Sequence, residues 1–187
     1  MNSAIYEGFP MINRSFFFDQ VSLRLFEGRL PSKTKESLGL ILDEWEKNYA
    51  KADDRWLAYA LGTAHHETDR TFGPIREYGR GKGKPYYPYY GRGLVQLTWD
   101  YNYKRMGAVV GVDLVKNPDR ALDLKNAIPI MFVGMMQGIF TGKKLADYFS
   151  KTTEDWVNAR RIINGLDKAN LIAGHAKKFY SAISYTT

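Results

Sequence analysis

The sequence has no cysteine. Thiol nucleophiles, thiolate zinc sites, iron–sulfur clusters and a disulfide scaffold are therefore excluded. Long apolar runs are also missing. The longest stretch worth testing, 127–140, is interrupted by Pro129 and Gln137 and falls short of the ~20 residues that a membrane-spanning helix needs. No stable membrane insertion is expected. Residues 1–20 lack a basic segment followed by an apolar one, so no secretory leader is read there. Histidine is scarce, at three. His66-Glu67 begins like the zinc motif H-E-x-x-H, but Arg70 stands where the second histidine belongs, so no metal site is read. Internal repeats and low-complexity tracts are absent.

What is present fits one domain, residues 1–187, with no separate wall-binding or other module. That length can bury a core without covalent staples. Apolar residues make up 44% and charged residues 25%, the balance of a soluble globular protein. Twenty-seven Lys and Arg outweigh 20 Asp and Glu, giving a formal charge of +7. Such an excess points to an anionic partner: nucleic acid, a lipid headgroup or an acidic polymer such as a cell wall. Thirteen tyrosines add stacking faces that suit nucleotides or sugars.

The apolar spacing is helical almost throughout. Asn13 or Ser15 can cap a first helix and Ser32 a second, with Leu38, Ile41, Leu42 and Trp45 on one stripe. Asp53 or Asp54 opens a third, and Asp100 a fourth running toward Ala108. A long apolar helix spans about 124–140, where Pro129 marks a kink or the true first turn. A short helix is read at 143–149, another behind Thr152 or Thr153 with Trp156 and Ile162, and a last one at about 168–183. Strand alternation is weak, leaving at most a short hairpin near 85–96. The fold class is mainly α, with one large irregular loop. Trp45, Trp56 and Trp156 lie at core spacings.

On the third helix Trp56, Leu57, Ala60, Leu61 and Ala64 share a face, and Glu67 falls on it at the C-terminal end. His65 and His66 fall off that stripe. Burial and the negative end of the helix dipole both disfavour an ionised carboxylate, which suits Glu67 to general-acid work near neutral pH. The alternative is a partly exposed Glu at a fraying end. His66 is a hydrogen-bonding neighbour of that carboxylate or a plain surface residue.

Six bases fall between Arg70 and Arg92, namely Arg70, Arg76, Arg80, Lys82, Lys84 and Arg92, against the single acid Glu77. Long loops inside compact domains are usually functional. Neither a phosphate loop nor a dinucleotide fingerprint fits Gly81-Lys82-Gly83-Lys84-Pro85, which lacks both the Ser/Thr and the strand–helix setting. Glu77 is either a salt-bridge partner of Arg76 or Arg80, or the second carboxylate of a glycosidase pair. Thr141, in Phe140-Thr141-Gly142, either lines a cleft or belongs to the turn that caps the long helix; the capping role is preferred.

Three stretches, in this order, resemble glycoside hydrolase family 19, the chitinase-like family that includes many phage endolysins. They are Ala64-His65-His66-Glu67-Thr68, then 90–99 with Asn102-Tyr103, then Arg160-Arg161-Ile162-Ile163-Asn164-Gly165. The likeness runs from about Phe16 to Ile183, and the compact form is similar to the endolysin branch. Plant members usually carry disulfides, which this chain cannot form. The resemblance implies a lysozyme-like helical bundle with a deep substrate cleft. It implies Glu67 as general acid, Glu77 as general base and Thr98 as a holder of the attacking water. Gln96, Asn102 and Asn164 would bond sugar, and Arg160 or Arg161 would orient the carboxylates. His66, Tyr90 and Thr141 complete the candidate substrate-binding set.

The reading that follows is an inverting hydrolase of peptidoglycan β-1,4 bonds that needs no cofactor and works as a monomer. Made in the cytoplasm without a leader, it would reach the periplasmic wall by holin-type release or another export route. A chitinase is the alternative within enzymes. Outside enzymes, the alternatives are a non-catalytic wall-binding module and a nucleic-acid-binding α domain. The last explains the charge but not the two carboxylates, so no nucleic-acid partner is expected.

Overall fold

The computed structural model describes residues 10–186. Residues 1–9 of the segment read for a leader lie outside the described residues. Among the described residues six α-helices form the body: α1 Arg14–Leu25, α2 Ser32–Asn48, α3 Asp54–Glu67, α4 Asp100–Val110, α5 Leu124–Gln137 and α6 Ala169–Tyr180. Short 3₁₀ turns lie at Tyr78–Gly81, Pro118–Leu122, Leu145–Asp147 and Asn158–Ile162. The mainly α bundle with one long loop is thus observed.

Two of the expected caps are present. The Asn13 side chain accepts the Phe16 N–H, and Asp53 accepts that of Arg55. Ser32 instead becomes the first residue of α2, after Pro31, whose fixed φ pre-organises the helix entry. α5 starts at Leu124, so Pro129 lies inside the helix rather than in its first turn. Gly138, in the left-handed conformation, ends α5, and the preferred capping role of Thr141 is corrected accordingly. The helix expected behind Thr152 or Thr153 shrinks to the turn Asn158–Ile162. There the Asp155 side chain takes both the backbone and the side-chain N–H of Asn158, an alternative to helical bonding.

α3 is the axis of the fold. Every residue from Leu57 to His65 is buried, so the helix is covered on all sides rather than on one stripe. His65, read as off the stripe, is 2% exposed. α6 lies directly against α3. A Cβ at Gly62 would stand 2.8 Å from the Cα of Ala176, so the close approach of the two backbones depends on glycine there. The main core gathers Phe17, Trp45, Tyr59, Phe132 and Phe179 around this pair. A smaller core of Leu97, Tyr103, Met106, Leu114 and Ile130 lies beneath α4. Phe140 packs against both.

The expected hairpin is displaced. β1 (Ile75–Arg76) pairs antiparallel with β2 (Arg92–Gly93), Ile75 opposite Gly93 and Arg76 opposite Arg92. Residues 77–91 leave and return through this ribbon. Sequence alternation could not show it, because each strand is two residues long.

Candidate active site

The end of α3, the segment 95–102, the turn after α5 and the turn 163–165 surround a cleft of about 550 Å³. Glu67, Tyr86, Gln96, Thr98, Trp99, Asn102, Thr141 and Asn164 are among its lining residues. Residues from distant parts of the sequence are therefore assembled as the motifs implied.

Glu67 is the buried end of this wall. Arg160 Nη1 donates to its Oε1 at 2.6 Å, with the two side chains 15% and 4% exposed. The choice between Arg160 and Arg161 is thus settled by contact: Arg160 meets the carboxylate, while Arg161 offers its backbone carbonyl to the Thr141 hydroxyl at 2.6 Å. A second bond, to Ile162 O, ties Thr141 to the same turn. Among the described residues Oε2 of Glu67 has no hydrogen-bond partner, and it remains available to a ligand.

Across from it, the Thr98 hydroxyl donates to Gln96 O at 2.8 Å, which leaves its oxygen as an acceptor. Asn102 Nδ2 donates to Thr98 O at 3.0 Å. Its Oδ1 is buried without a partner. Gln96 Nε2 donates to Ile75 O, linking the cleft to β1. A Cβ at Gly91 would lie 2.7 Å from Gln96 Oε1, so glycine there makes room for the amide. Asn164 is exposed, and its side chain accepts the Gly165 N–H at 2.8 Å.

Glu77 is held in the loop rather than among the lining residues. Its Oε1 accepts the Tyr86 hydroxyl at 2.6 Å and its Oε2 the Gly91 N–H at 3.0 Å. The bond to Glu77 raises the Tyr86 phenol above its ordinary value. No ion pair joins Glu77 to Arg76 or Arg80 among the described residues; Arg76 pairs with Asp119 instead. Tyr86 touches both Glu77 and the cleft, so it connects the two.

Besides Glu77 and Arg160, which stand behind the lining, two more members of the expected set fall outside the cleft. His66 lines a separate pocket, because adjacent helical positions diverge by about 100° and Glu67 takes the cleft side. Tyr90 is 7% exposed and covered by the Arg92 guanidinium, 3.6 Å from its ring centre. It supports the loop instead of facing sugar.

Sequence reading missed an aromatic platform. Trp99 and Tyr101 stack at 6.0 Å with 17° between their planes, and Tyr86 meets Trp99 edge-on at 5.4 Å. The available signal was that Trp99 is the one tryptophan off a core spacing. Also missed was Asp119, which accepts from Arg76 and from the buried Arg92, at 3.0 and 2.8 Å. These two arginines hold its carboxyl below the usual range. Arg92 further donates to the Tyr103 hydroxyl and to the carbonyls of Pro88 and Tyr90, fastening the root of the loop.

The family model described as chitinase class I matches residues 46–133, the stretch that holds Glu67, Glu77, Thr98 and Asn102. Among curated proteins, endochitinase 1 of Theobroma cacao is 61% identical over 31 residues, which is 17% of this chain and 10% of that protein. An inactive chitinase-like protein 1 of Hevea brasiliensis is 49% identical over 45 residues, 21% of this chain and 14% of that one. The matches thus span a small part of those relatives. Among solved structures, a bacterial family 19 chitinase aligns over 92% of this chain and 86% of its own, at 19% identity and a TM-score of 0.49. Chitinase C of Streptomyces griseus HUT6037 aligns over 66% and 63%, at 24% and 0.39.

Proposed function

We propose that this protein is a glycan-cleaving hydrolase acting on peptidoglycan by single displacement. Glu67, anchored through Oε1, donates a proton from Oε2 to the glycosidic oxygen. The Thr98 hydroxyl has given its hydrogen to Gln96 O, so towards a water it can only accept. One water proton then points to Thr98 and the other towards Glu77, taken as the base, which is one hydrogen bond from the cleft through Tyr86. The unpartnered Oδ1 of Asn102 suits an N-acetyl N–H or a sugar hydroxyl. Trp99 and Tyr101 supply a face for a sugar ring.

One observation carries the choice of substrate. Arg80, Lys82 and Lys84 are exposed, on the loop whose Tyr86 lines the cleft. Peptidoglycan bears lactyl and peptide carboxylates that such a row attracts, whereas chitin is neutral. The second reading, a chitinase, is favoured by the match to the chitinase class I model. In the peptidoglycan reading the protein acts as a monomer on the periplasmic wall after holin-type release or other export, as an endolysin would.

Mass spectrometry of digested peptidoglycan, with proton NMR of the fresh digest to read the anomer, tests this reading. New reducing ends on the glycan, formed first as the α-anomer, are expected. Products lacking a reducing end would overturn glycoside hydrolysis, and a β-anomer would overturn single displacement. Comparable turnover of soluble chitin oligomers would move the substrate to chitin.

A further inference from the structure

A second pocket of about 480 Å³ lies where the end of α1, the last turn of α3 and α6 meet, and it shares no lining residue with the cleft. All three histidines of the chain, His65, His66 and His175, line it. So do the cations Arg24, Arg70 and Lys178 and the carboxylates Glu27 and Asp69. Among the described residues, none of these five charges is ion-paired.

The buried wall of this pocket is polar and unsatisfied. His65 is 2% exposed, yet among the described residues neither ring nitrogen has a hydrogen-bond partner. Phe26, Phe72 and Phe179 surround its ring, and the His175 ring lies 4.4 Å away with its own Nδ1 unpartnered. Buried polar atoms are nearly always bonded, and a phenylalanine would fill this space without an unmet donor. Packing alone therefore gives no reason for an imidazole.

The charged groups around it are pre-placed. Arg70 Nη2 donates to Leu25 O at 2.7 Å, and its guanidinium lies over the Phe26 ring. Its other N–H groups remain for a ligand. Arg24 is steadied by Gln20 at 2.9 Å. Glu27, Asp69 and Arg70 all adopt left-handed backbone, which is rare for non-glycine residues and concentrates at functional sites. A metal ion does not suit three neighbouring cations, and no metal-binding group of three ligating side chains occurs among the described residues. Unpaired charges of both signs instead match a ligand carrying both.

We propose that this pocket binds a small zwitterion of the amino-acid class. Its carboxylate would meet Arg70 and Lys178, and its ammonium Glu27 and Asp69, with His65 and His175 behind them as the wall of the pocket. The volume lies within the range of small-molecule sites. This site is independent of the proposed glycan chemistry.

The test is an NMR titration of the three histidine rings in the full chain, with alanine, acetate and ethylamine as separate probes. Alanine should shift His65 and His175 saturably with a Kd of about 1 mM or tighter, and acetate and ethylamine should each bind at least about tenfold more weakly. Lys178→Ala, an exposed change on α6, should weaken alanine binding about tenfold. Lys177→Ala removes the same charge just outside the pocket and should leave binding unchanged. Absence of saturable shifts with alanine overturns the site. Acetate matching alanine overturns the zwitterion, and equal weakening by both lysine variants overturns the placement.

Discussion

Arg160 and Glu67, 93 positions apart in sequence, meet at 2.6 Å on the buried side of the cleft. The pair gives each variant a distinct expectation. Glu67→Gln keeps an oxygen for Arg160 to bond but removes the transferable proton. Turbidity loss on permeabilised Gram-negative cells should fall to background while circular dichroism is unchanged. Full activity would remove Glu67 as the acid. Arg160→Ala leaves the half-buried Glu67 carboxylate without its partner, which costs about 1–3 kcal/mol. A clear fall in melting temperature should accompany a rate loss of about 100-fold.

Glu77 is held by two donors, Tyr86 and Gly91. Glu77→Gln should slow glycan cleavage by about 10²–10⁴-fold while pelleting with cell walls is retained. Tyr86→Phe keeps the ring in the cleft and the Gly91 bond, so a loss of about tenfold in kcat is expected. Unchanged rates in Glu77→Gln would move the base elsewhere.

Asp119 pairs with arginines from both strands of the ribbon, Arg76 and Arg92. Asp119→Asn leaves Arg92 buried with its charge uncompensated. Because Asp119 is itself well exposed, water screens part of the effect, and a loss of about 1–2 kcal/mol is expected in urea unfolding. Limited proteolysis should then cut 77–91 sooner than in the parent chain.

Burial, and next the nearby His175, depress the His65 imidazole from 6.5 to about 3, and burial also lowers His175. The unfolded chain therefore takes up protons before the folded one. The stabilisation is complete above about pH 6.5 and is lost progressively as pH falls from there towards 3. Urea midpoints should drop between pH 7.5 and 5, before most carboxylates titrate. His65→Phe should flatten that slope. An equal slope in the variant would assign it to other groups.

That Glu67 lines the cleft was legible because it follows a long apolar pattern and ends its helix. So was the grouping of Gln96, Thr98, Asn102 and Asn164, through the motifs that carry them. Tyr90 and His66 were misplaced for a common reason. A motif names residues that stay together, not which of them turn towards solvent, and Arg92 covers one while helical rotation carries off the other. The buried surround of α3 was hidden as well, since alanine, glycine and threonine do not announce burial. Arg92 and Asp119 join across 27 positions, beyond any local pattern.

The β1–β2 ribbon lets the chain depart at Arg76 and return at Arg92 through one doorway. Everything between belongs to a cassette whose ends are already closed, and doubling its length would cost only about 0.6 kcal/mol in closure entropy. The two proposed catalytic groups thus sit on material of opposite evolutionary freedom. Glu67 is fixed to an axis that tolerates little change, whereas the segment bearing Glu77 can be lengthened, recharged or exchanged with the bundle left intact.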